Sequence, residues 1–598
     1  MVDAAPLQAA LCTQGGLSDA NRDSRQALGQ DAPATVPHGR IPCPRQSESS
    51  SMIDTADKDA GPALSFSTEA RPLPLYTVTQ IRALELAAMA DLAPHTLMTR
   101  AGQAAAQFIL ERLPAGSLHQ GPRVRLIAGP GNNGGDALAS ATELHLRGVA
   151  VEVLLPVEPD SDDARWALQR ARWAGVPIKS QRQAEVPGQH PAWYVDGLFG
   201  IGLTRPLDGI FAVLAQDLSV HTQHGAQVLA LDVPSGLNSD TGQAADRETL
   251  VQASHTLSFI GAKAGLYTGL GRDFAGAVWV APLGLEAATL APLNLLPDQT
   301  NSQQTLNAPS LFASQLPRRK FSAHKGDFGS LAVIGGDDGM VGAPVLSARA
   351  ALYSGAGKVN LALLSNRGPA YDPLHPELMV HTLGSLDWAA MSALTVGPGM
   401  GQSRRAKDLL KEILQVAMPK VLDADALNLI AAHDDLAGAL QRQSAEVVLT
   451  PHPLECARLL RQTTAEIQHD RLGAARELAR RYACVVILKG SGTVIANPAG
   501  DVTINPTGNA GLATGGTGDV LGGLLGALLA QGCPAYAAAQ AAVYLHGLAA
   551  DVLTAAGHGP AGLTASELAP MFRTLLNRIC RETDAYPLHS TEADSPFI

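Results

Sequence analysis

The chain has 598 residues, 46% apolar and 17% charged, so it is too long for one hydrophobic core and predicts about two to four soluble globular domains. Its net charge of −11 excludes a general nucleic-acid binder, and no apolar run reaches transmembrane length, so neither nucleic acid nor membrane is expected as a partner. Of the six cysteines, Cys12, Cys43, Cys456, Cys484, Cys533 and Cys580, no two form a CxxC pair or a metal-ligand spacing. Structural thiols in a reducing, cytoplasmic setting are expected, with no signal peptide at the start.

Residues 1–72 are rich in Ala, Ser, Asp, Gln and Pro without periodicity, and predict a disordered tail. Order begins near Tyr76, with Thr79 the expected cap of a helix running through Ala90, and a second helix over 97–113. An apolar strand over 123–128 runs into Gly129-Pro-Gly-Asn-Asn-Gly-Gly-Asp136, and a helix over 137–147 and a strand over 149–155 complete a βαβ unit. Residues 129–134 fit GxGxxG, with Glu152 a candidate ribose ligand, so a plain dinucleotide fold is one reading. Glu152 lies inside its strand, however, and the Asn132 and Asn133 amides offer oxygens to a cation and donors to a phosphate. Two more strands, 192–196 and 228–232, end in Asp196 and Asp232, with Ser235 just beyond. Acids at the C-terminal ends of parallel strands lie where open α/β sheets place ligands. With Asn133, these residues make an oxygen-rich set suited to a hard or alkali cation. Strands over 256–260 and 277–281 close a first domain, 73–285, and the Pro-, Gln- and Asn-rich stretch 286–317 predicts a linker.

The second domain is expected over 318–580, with a C-terminal tail over 581–598. Strands over 330–334, 358–364, 394–396, 420–422, 446–450 and 485–489 each lead into glycines or polar residues, which predicts a doubly wound α/β domain with its ligands on one sheet edge. Ser354-Gly-Ala-Gly-Lys358 is not a Walker A loop, because the glycine spacing and the Ser/Thr after Lys are missing. Asp423 and Asp425 alternate along one extended stretch, so one of them is expected to face the site. His452, between two prolines, reads as a turn residue when taken alone. The densest signal is Asn505–Gly523, with seven glycines between a strand and a small-residue helix over 519–531. Bare backbone amides and a helix N-terminus make Thr514–Gly518 a phosphate cradle. Asp519 beside it is an odd choice unless it takes a proton from a hydroxyl.

These motifs resemble the bifunctional NAD(P)H-hydrate repair family, in which a Rossmann-like epimerase domain is fused to a ribokinase-like dehydratase domain. The resemblance rests on YTVTQIRALE, GPGNNGGD, DGLFGIGLTRP and LDVPSG in the first half, and on HKGDFGS, GPGMG, DADALN, LTPHP, KGSGT and NAGLATGGTGDVLGG in the second. It implies that Asn132, Asn133, Gly134, Gly135, Asp136, Gly200, Ile201, Gly202, Leu203, Thr204, Arg205, Pro206 and Asp232 bind the hydrated cofactor, with Asp232 as acid/base. Asn133, Asp196 and Ser235 would hold potassium. In the dehydratase, Ala343, Gly397, Gly399, Gly401, His452 and Asp519 would meet the hydrate, with Asp519 catalytic. Lys489, Gly490, Ser491, Gly492, Thr493 and Gly518 would bind ADP or ATP, accompanied by magnesium. NADHX and NADPHX are the implied substrates, and a homo-oligomer the implied assembly. Ala137 and Leu454 depart from the family pattern, which usually has glycine at both places. The alternative is a ribokinase-like small-molecule kinase carrying a non-catalytic N-terminal binding module.

Overall fold

The computed structural model describes residues 72–113, 124–181, 191–203, 205–285 and 303–582. The expected N-terminal tail up to residue 71, Thr204, linker residues 286–302 and C-terminal residues 583–598 lie outside the described residues.

Two parallel sheets organise the rest. The first has seven strands in the order Ile178–Lys179, Val151–Leu154, Val124–Ala128, Trp193–Gly197, Gln227–Leu231, His255–Phe259, Ala277–Ala281. Every neighbouring pair is parallel. The chain moves outward one way from Val124–Ala128, then returns and builds the other way from Trp193–Gly197, so a crevice opens beyond the C-terminal ends of those two strands. GPGNNGGD and DGLFGIG leave the sheet at that crevice.

The second sheet has ten strands in the order Gln304–Leu306, Val502–Ile504, Val494–Ala496, Val485–Leu488, Val447–Leu449, Lys420–Leu422, Ala393–Val396, Ser330–Gly335, Lys358–Leu363, Met379–Thr382. Only Val494–Ala496 runs antiparallel to its neighbours. Fully buried apolar strands such as Val485–Leu488 separate two cores, as expected where helices cover both faces. The two doubly wound α/β halves read from the sequence are both present.

Several local expectations need correction. The first helix, Val78–Asp91, is capped by Thr77 rather than Thr79, because Thr77 and Gln80 form a reciprocal capping box. The helix after the first glycine turn begins at Asn132, not Ala137, so NNGGD opens the helix rather than forming a loop. Glu152 is no ribose ligand, since it faces the Arg125 guanidinium at 3.0 Å and the Lys179 ammonium at 2.7 Å. The described end of the expected linker is structured. Gln304–Leu306 pairs in parallel with Val502–Ile504, and Phe312 is completely buried in the second core. The last helix, Ala565–Glu582, runs past the expected domain end at residue 580.

The halves are joined through their backbones. Leu75–Tyr76 pairs with Ala262–Lys263 of the first half, while the preceding Pro74 bridges Thr305 of the second. Leu75, Ala262 and Ala264 then pack into the core of the second sheet.

Candidate active sites

At the first crevice, a cavity of about 730 Å³ is lined by Asn132, Asn133, Asp136, Gly200–Leu203, Arg205 and Asp232. Gly134, Gly135 and Pro206 do not line it. A Cβ on Gly134 would stand 1.9 Å from the Gly129 carbonyl oxygen and one on Gly135 2.7 Å from Met98 Sδ, so these glycines let the helix approach its neighbours. Pro206 is exposed.

Asp232 sits at the end of Gln227–Leu231 with φ +66, a left-handed conformation that a non-glycine residue adopts only when its surroundings impose it. The imposition is visible. Its backbone N–H donates to Leu257 O at 2.8 Å, and its Oδ1 accepts from Phe259 N at 3.2 Å and from the Lys263 ammonium. Lys263 is fully buried and also donates to Phe259 O (2.7 Å) and Ser258 Oγ (3.0 Å). All three of its donors are thereby used, and it is a fixed positive charge under Asp232. The other carboxylate oxygen, Oδ2, lies 3.3 Å from where a Cβ on Gly200 would stand, and Asn133 Oδ1 lies 3.5 Å from the same point. Gly200 thus leaves room between the two side chains.

Lys263 escaped the sequence reading because nothing but its place after a strand distinguishes it. Glu85 and Arg82 also line the cavity, inside a motif that carried no assignment. Burial, reinforced by Asp232, pushes Glu85 up. Burial pushes Asp136 well above the ordinary carboxylate range, with Asp232, Glu85 and Asp163 adding to it.

Asp196 and Ser235 lie behind the cavity wall. Asp196 is completely buried and accepts from Ser235 N (2.8 Å), Ser235 Oγ (2.7 Å) and Leu198 N (3.1 Å), yet burial still lifts its carboxyl to about 6. Asn133, 8% exposed, has both side-chain polar atoms buried with no hydrogen-bond partner. An unsatisfied amide costs about 1–3 kcal/mol, so it points to a ligand. Ala137 is fully buried and would stand 2.5 Å from a Cβ on Gly197, so this departure from the family pattern faces the sheet and not the cavity.

The second site forms where the glycine-rich stretch meets the sheet edge. Gly516 (φ +91) turns the chain into the helix Thr517–Ala530, and Thr517 Oγ1 donates back to Leu512 O and Thr514 O. A Cβ on Gly515 would meet nothing within 4 Å, leaving the turn open on that side. Asp519, in the first helical turn, is pushed up to about 6 by burial and by Asp423, against the pull of Lys489. Lys489 Nζ bonds Asp423 Oδ1 at 2.8 Å, lies 4.0 Å from Glu455 Oε2, and stands 3.5 Å from the Cβ position of Gly518. Lys489 therefore sits beside the acid cluster as well as on the turn to which it was assigned.

Asp423 and Asp425 do not alternate along an extended strand. Ala424 between them has φ 49, and Asp425 opens the helix Asp425–Ala432. Both carboxylates reach the site, Asp423 through Lys489 and Asp425 through Gly401 N at 2.8 Å. Gly397 (φ +120) and Gly399 (φ +55) bend the chain against Asp423 O and Met340 O, and a Cβ on Gly399 would stand 3.4 Å from Ala343 Cβ. His452 caps the helix Pro453–Leu460, its Nδ1 accepting from Leu454 N (3.1 Å) and Glu455 N (3.2 Å). Its partner Glu455, hidden in the sequence as an ordinary capping-box acid, is lifted by burial to about 7.

A separate cavity of about 580 Å³ is lined by Lys489, Gly490, Ser491, Thr493, Thr517 and Gly518. Gly492 turns away from it, since a Cβ there would stand 2.0 Å from Tyr267 O. Ala343, Gly397, Gly399, Gly401, His452 and Asp519 lie outside that cavity, and Lys489 with Gly518 stands between the two groups.

A family model described as NAD(P)H-hydrate dehydratase matches residues 331–572, and one described as YjeF-related protein N-terminus matches 94–265. A bifunctional NAD(P)H-hydrate repair enzyme from Coxiella burnetii is 37% identical over 524 residues, covering 84% of this chain and 99% of the relative. The chain belongs to this bifunctional repair family. The family member is an enzyme, with the dehydratase domain in its second half. A relative from Neisseria meningitidis named ADP-dependent (S)-NAD(P)H-hydrate dehydratase is 45% identical over 283 residues, 47% of this chain and 94% of its own length. A solved ADP/ATP-dependent NAD(P)H-hydrate dehydratase from Bacillus subtilis, co-crystallised with ATP/Mg2+, is 33% identical, covers 45% of this chain and 95% of that one, and superposes with a TM-score of 0.40. No helix among the described residues is long and apolar enough to cross a membrane.

Proposed function

We propose that the first half interconverts the R and S hydrates of NADH and NADPH, and that the second half dehydrates the S form with ADP or ATP as phosphoryl donor. The observation that carries this is Asp519, a carboxylate of raised pKa in the first turn of a helix, beside Lys489 and the open glycine turn. Hydroxide is a poor leaving group. Asp519 accepts the hydroxyl proton as the oxygen attacks the terminal phosphorus of the nucleotide, and the P–O bond to the rest of the nucleotide breaks. The ring nitrogen's lone pair then expels phosphate, and loss of a proton from the neighbouring ring carbon restores the dihydronicotinamide. Lys489 and the amides of Thr514–Gly518 hold the phosphoryl oxygens. Ser491 and Thr493 with their glycines hold the rest of the nucleotide, and Ala343, Gly397–Gly401 and His452 hold the hydrate. Magnesium bound with the nucleotide would supply charge neutralisation for its phosphates.

In the first half the hydroxyl carbon lies next to the ring nitrogen, so the centre inverts by loss and regain of the C–O bond. Asp136, on the cavity wall and pushed above the ordinary carboxylate range by desolvation and neighbouring acids, is placed to donate to the departing hydroxyl. Asp232, anchored to Lys263, faces the cationic ring and takes the proton of the returning water. The orphaned Asn133 amide, the buried Asp196 carboxylate and Ser235 Oγ fit a weakly hydrated monovalent cation, and we assign potassium to them. That ion would supply fixed positive charge for the substrate's phosphates.

The test follows recovery of NADH absorbance from a mixed R/S hydrate pool, with ADP or ATP in separate runs and potassium or sodium as the only monovalent cation. Full recovery with one nucleotide hydrolysed per turnover supports both halves of the proposal. Recovery that stops when the S form is gone leaves only the dehydratase. A stable phosphorylated product would support the kinase alternative.

A further inference from the structure

The second cavity is not built by the second half alone. Arg272 and Asp273, from the first half, form part of its wall. Arg272 donates to Thr507 O at 3.3 Å and to Gly508 O at 2.7 Å. Asp551 holds the other end of the same residue, accepting from Gly508 N at 2.8 Å, and also binds Asn509 Nδ2 at 2.9 Å. Gly508 has φ +103 and leads directly into the glycine turn, so its orientation sets where that turn begins. The opposite lip is held in the same way. Thr268, completely buried, donates to Gly492 O at 3.0 Å and accepts from Arg471 Nε at 3.1 Å, while Gly269 N donates to Ser491 O at 3.2 Å. Arg471 reaches on to Leu488 O and Lys489 O. Both lips of the cavity therefore hang on one short segment, Tyr267–Asp273. Arg272 has no carboxylate within ion-pair distance among the described residues, and it and Lys489 are the cavity's only lysine or arginine side chains. Asp551 and Asp273 act on this half-buried guanidinium without pairing with it directly, so it can still take part in holding an anion.

We propose that Tyr267–Asp273 of the first half is a wall of the nucleotide site of the second, with Thr268 and Arg272 as positioning residues for an adenine nucleotide. This rests on the assignment of that cavity to the nucleotide. The dehydratase relative from Neisseria meningitidis spans only about half of this chain, so the wall tunes nucleotide affinity and is not required for the chemistry.

The experiment measures ADP binding by calorimetry, and KM and kcat for dehydration, in the full-length protein and in Arg272→Met, Arg272→Lys and Thr268→Val. Arg272→Met is expected to raise the Kd and KM for ADP about tenfold, with kcat within about threefold and the epimerisation rate unchanged. Arg272→Lys is expected to recover little, because an ammonium cannot span two carbonyls as a guanidinium does. Unchanged Kd and KM in all three variants would overturn the proposal. A merely structural effect, lowering kcat and the epimerisation rate together, would overturn it too. In case the variants misfold, hydrogen exchange on the unmodified protein provides a second reading. ADP is expected to slow exchange of the 267–273 amides, and no change there, with ADP bound, would also sink the idea. A wild-type protein that binds neither ADP nor ATP would instead overturn the nucleotide assignment.

Discussion

The two glycine turns, Gly129–Asp136 and Thr514–Asp519, look alike in sequence and are used differently. Each leads into a helix that carries an acid near its start, Asp136 just past the first turn and Asp519 within it, and burial raises the pKa of both. Each stands near a strand end where a non-glycine residue is forced to positive φ, Asp232 at +66 and Ala424 at +49. The difference lies in the cation. In the first half Lys263 is sealed in, with every donor taken by Asp232, Ser258 and Phe259. In the second half Lys489 is 21% exposed and stands among Asp423, Glu455 and Asp519 beside an open turn. A sealed cation orients one carboxylate for proton traffic. An accessible one among several acids is free to turn to an arriving phosphoryl group. On the proposed roles, the same local signature would serve acid/base chemistry in one half and group transfer in the other.

The largest expected effect separates these two uses. Asp519→Asn should lower dehydration by roughly 10³-fold while epimerisation proceeds at its normal rate, since the base is lost on one side only. Comparable losses of both activities would mean that the halves do not work independently. Next comes Asp232→Asn, expected to slow epimerisation by about 10²-fold with dehydration of pure S hydrate unchanged. Lys263→Met should be worse for the fold than for the rate. It leaves Asp232 buried beside no cation, at a cost of about 3–5 kcal/mol, and the double variant with Asp232→Asn should regain part of that stability in denaturant unfolding. A double variant no more stable than Lys263→Met would show that the lysine matters for something other than its charge.

Asp519 also predicts a pH signature. Its folded pKa of about 6 lies above the ordinary 3.8, so the ionised base is lost as pH falls through about 6, and kcat/KM for dehydration should drop there. The stability effect has the opposite sense. A raised carboxyl pKa means that ionisation costs the folded state, a cost absent below the unfolded pKa and complete above about 6. Asp519→Asn should therefore raise stability at pH 8, by on the order of 1–3 kcal/mol, and do almost nothing at pH 4. Thermal unfolding at the two pH values checks this, and equal shifts at both would contradict the burial of that carboxylate.

Much of this was legible in the sequence, because strand-to-glycine turns are local signals. The ends of both sheets, the glycine stretch and Asp232 or Asp519 needed only pattern and position. What stayed hidden depends on tertiary approach. Lys263 looks like any lysine after a strand until Asp232 folds over it. Glu455 looks like the acid of a capping box, and it is one, but Lys489 lies close enough to bring it into the site. Gln304–Leu306 reads as linker because three residues set among Asn, Gln, Ser and Pro show no alternation, and only pairing with the edge of Val502–Ile504 makes them a strand. Arg272 was invisible for the same reason, since its partners Thr507 and Gly508 lie in the other half of the chain.

The smallest effect concerns Leu454, where the family pattern has glycine. The side chain is 45% exposed, and the residue lines neither cavity, while its backbone N–H donates to His452 Nδ1. With nearly half of its surface exposed, Leu454 is expected not to narrow the pocket, so Leu454→Gly should change the KM for the hydrate by less than about threefold. Its position in the first turn of Pro453–Leu460 makes glycine mildly unfavourable there, by about 0.5–1 kcal/mol. Steady-state kinetics beside thermal unfolding separates the two. A large fall in KM without a stability change would mean that Leu454 closes over His452 when substrate arrives.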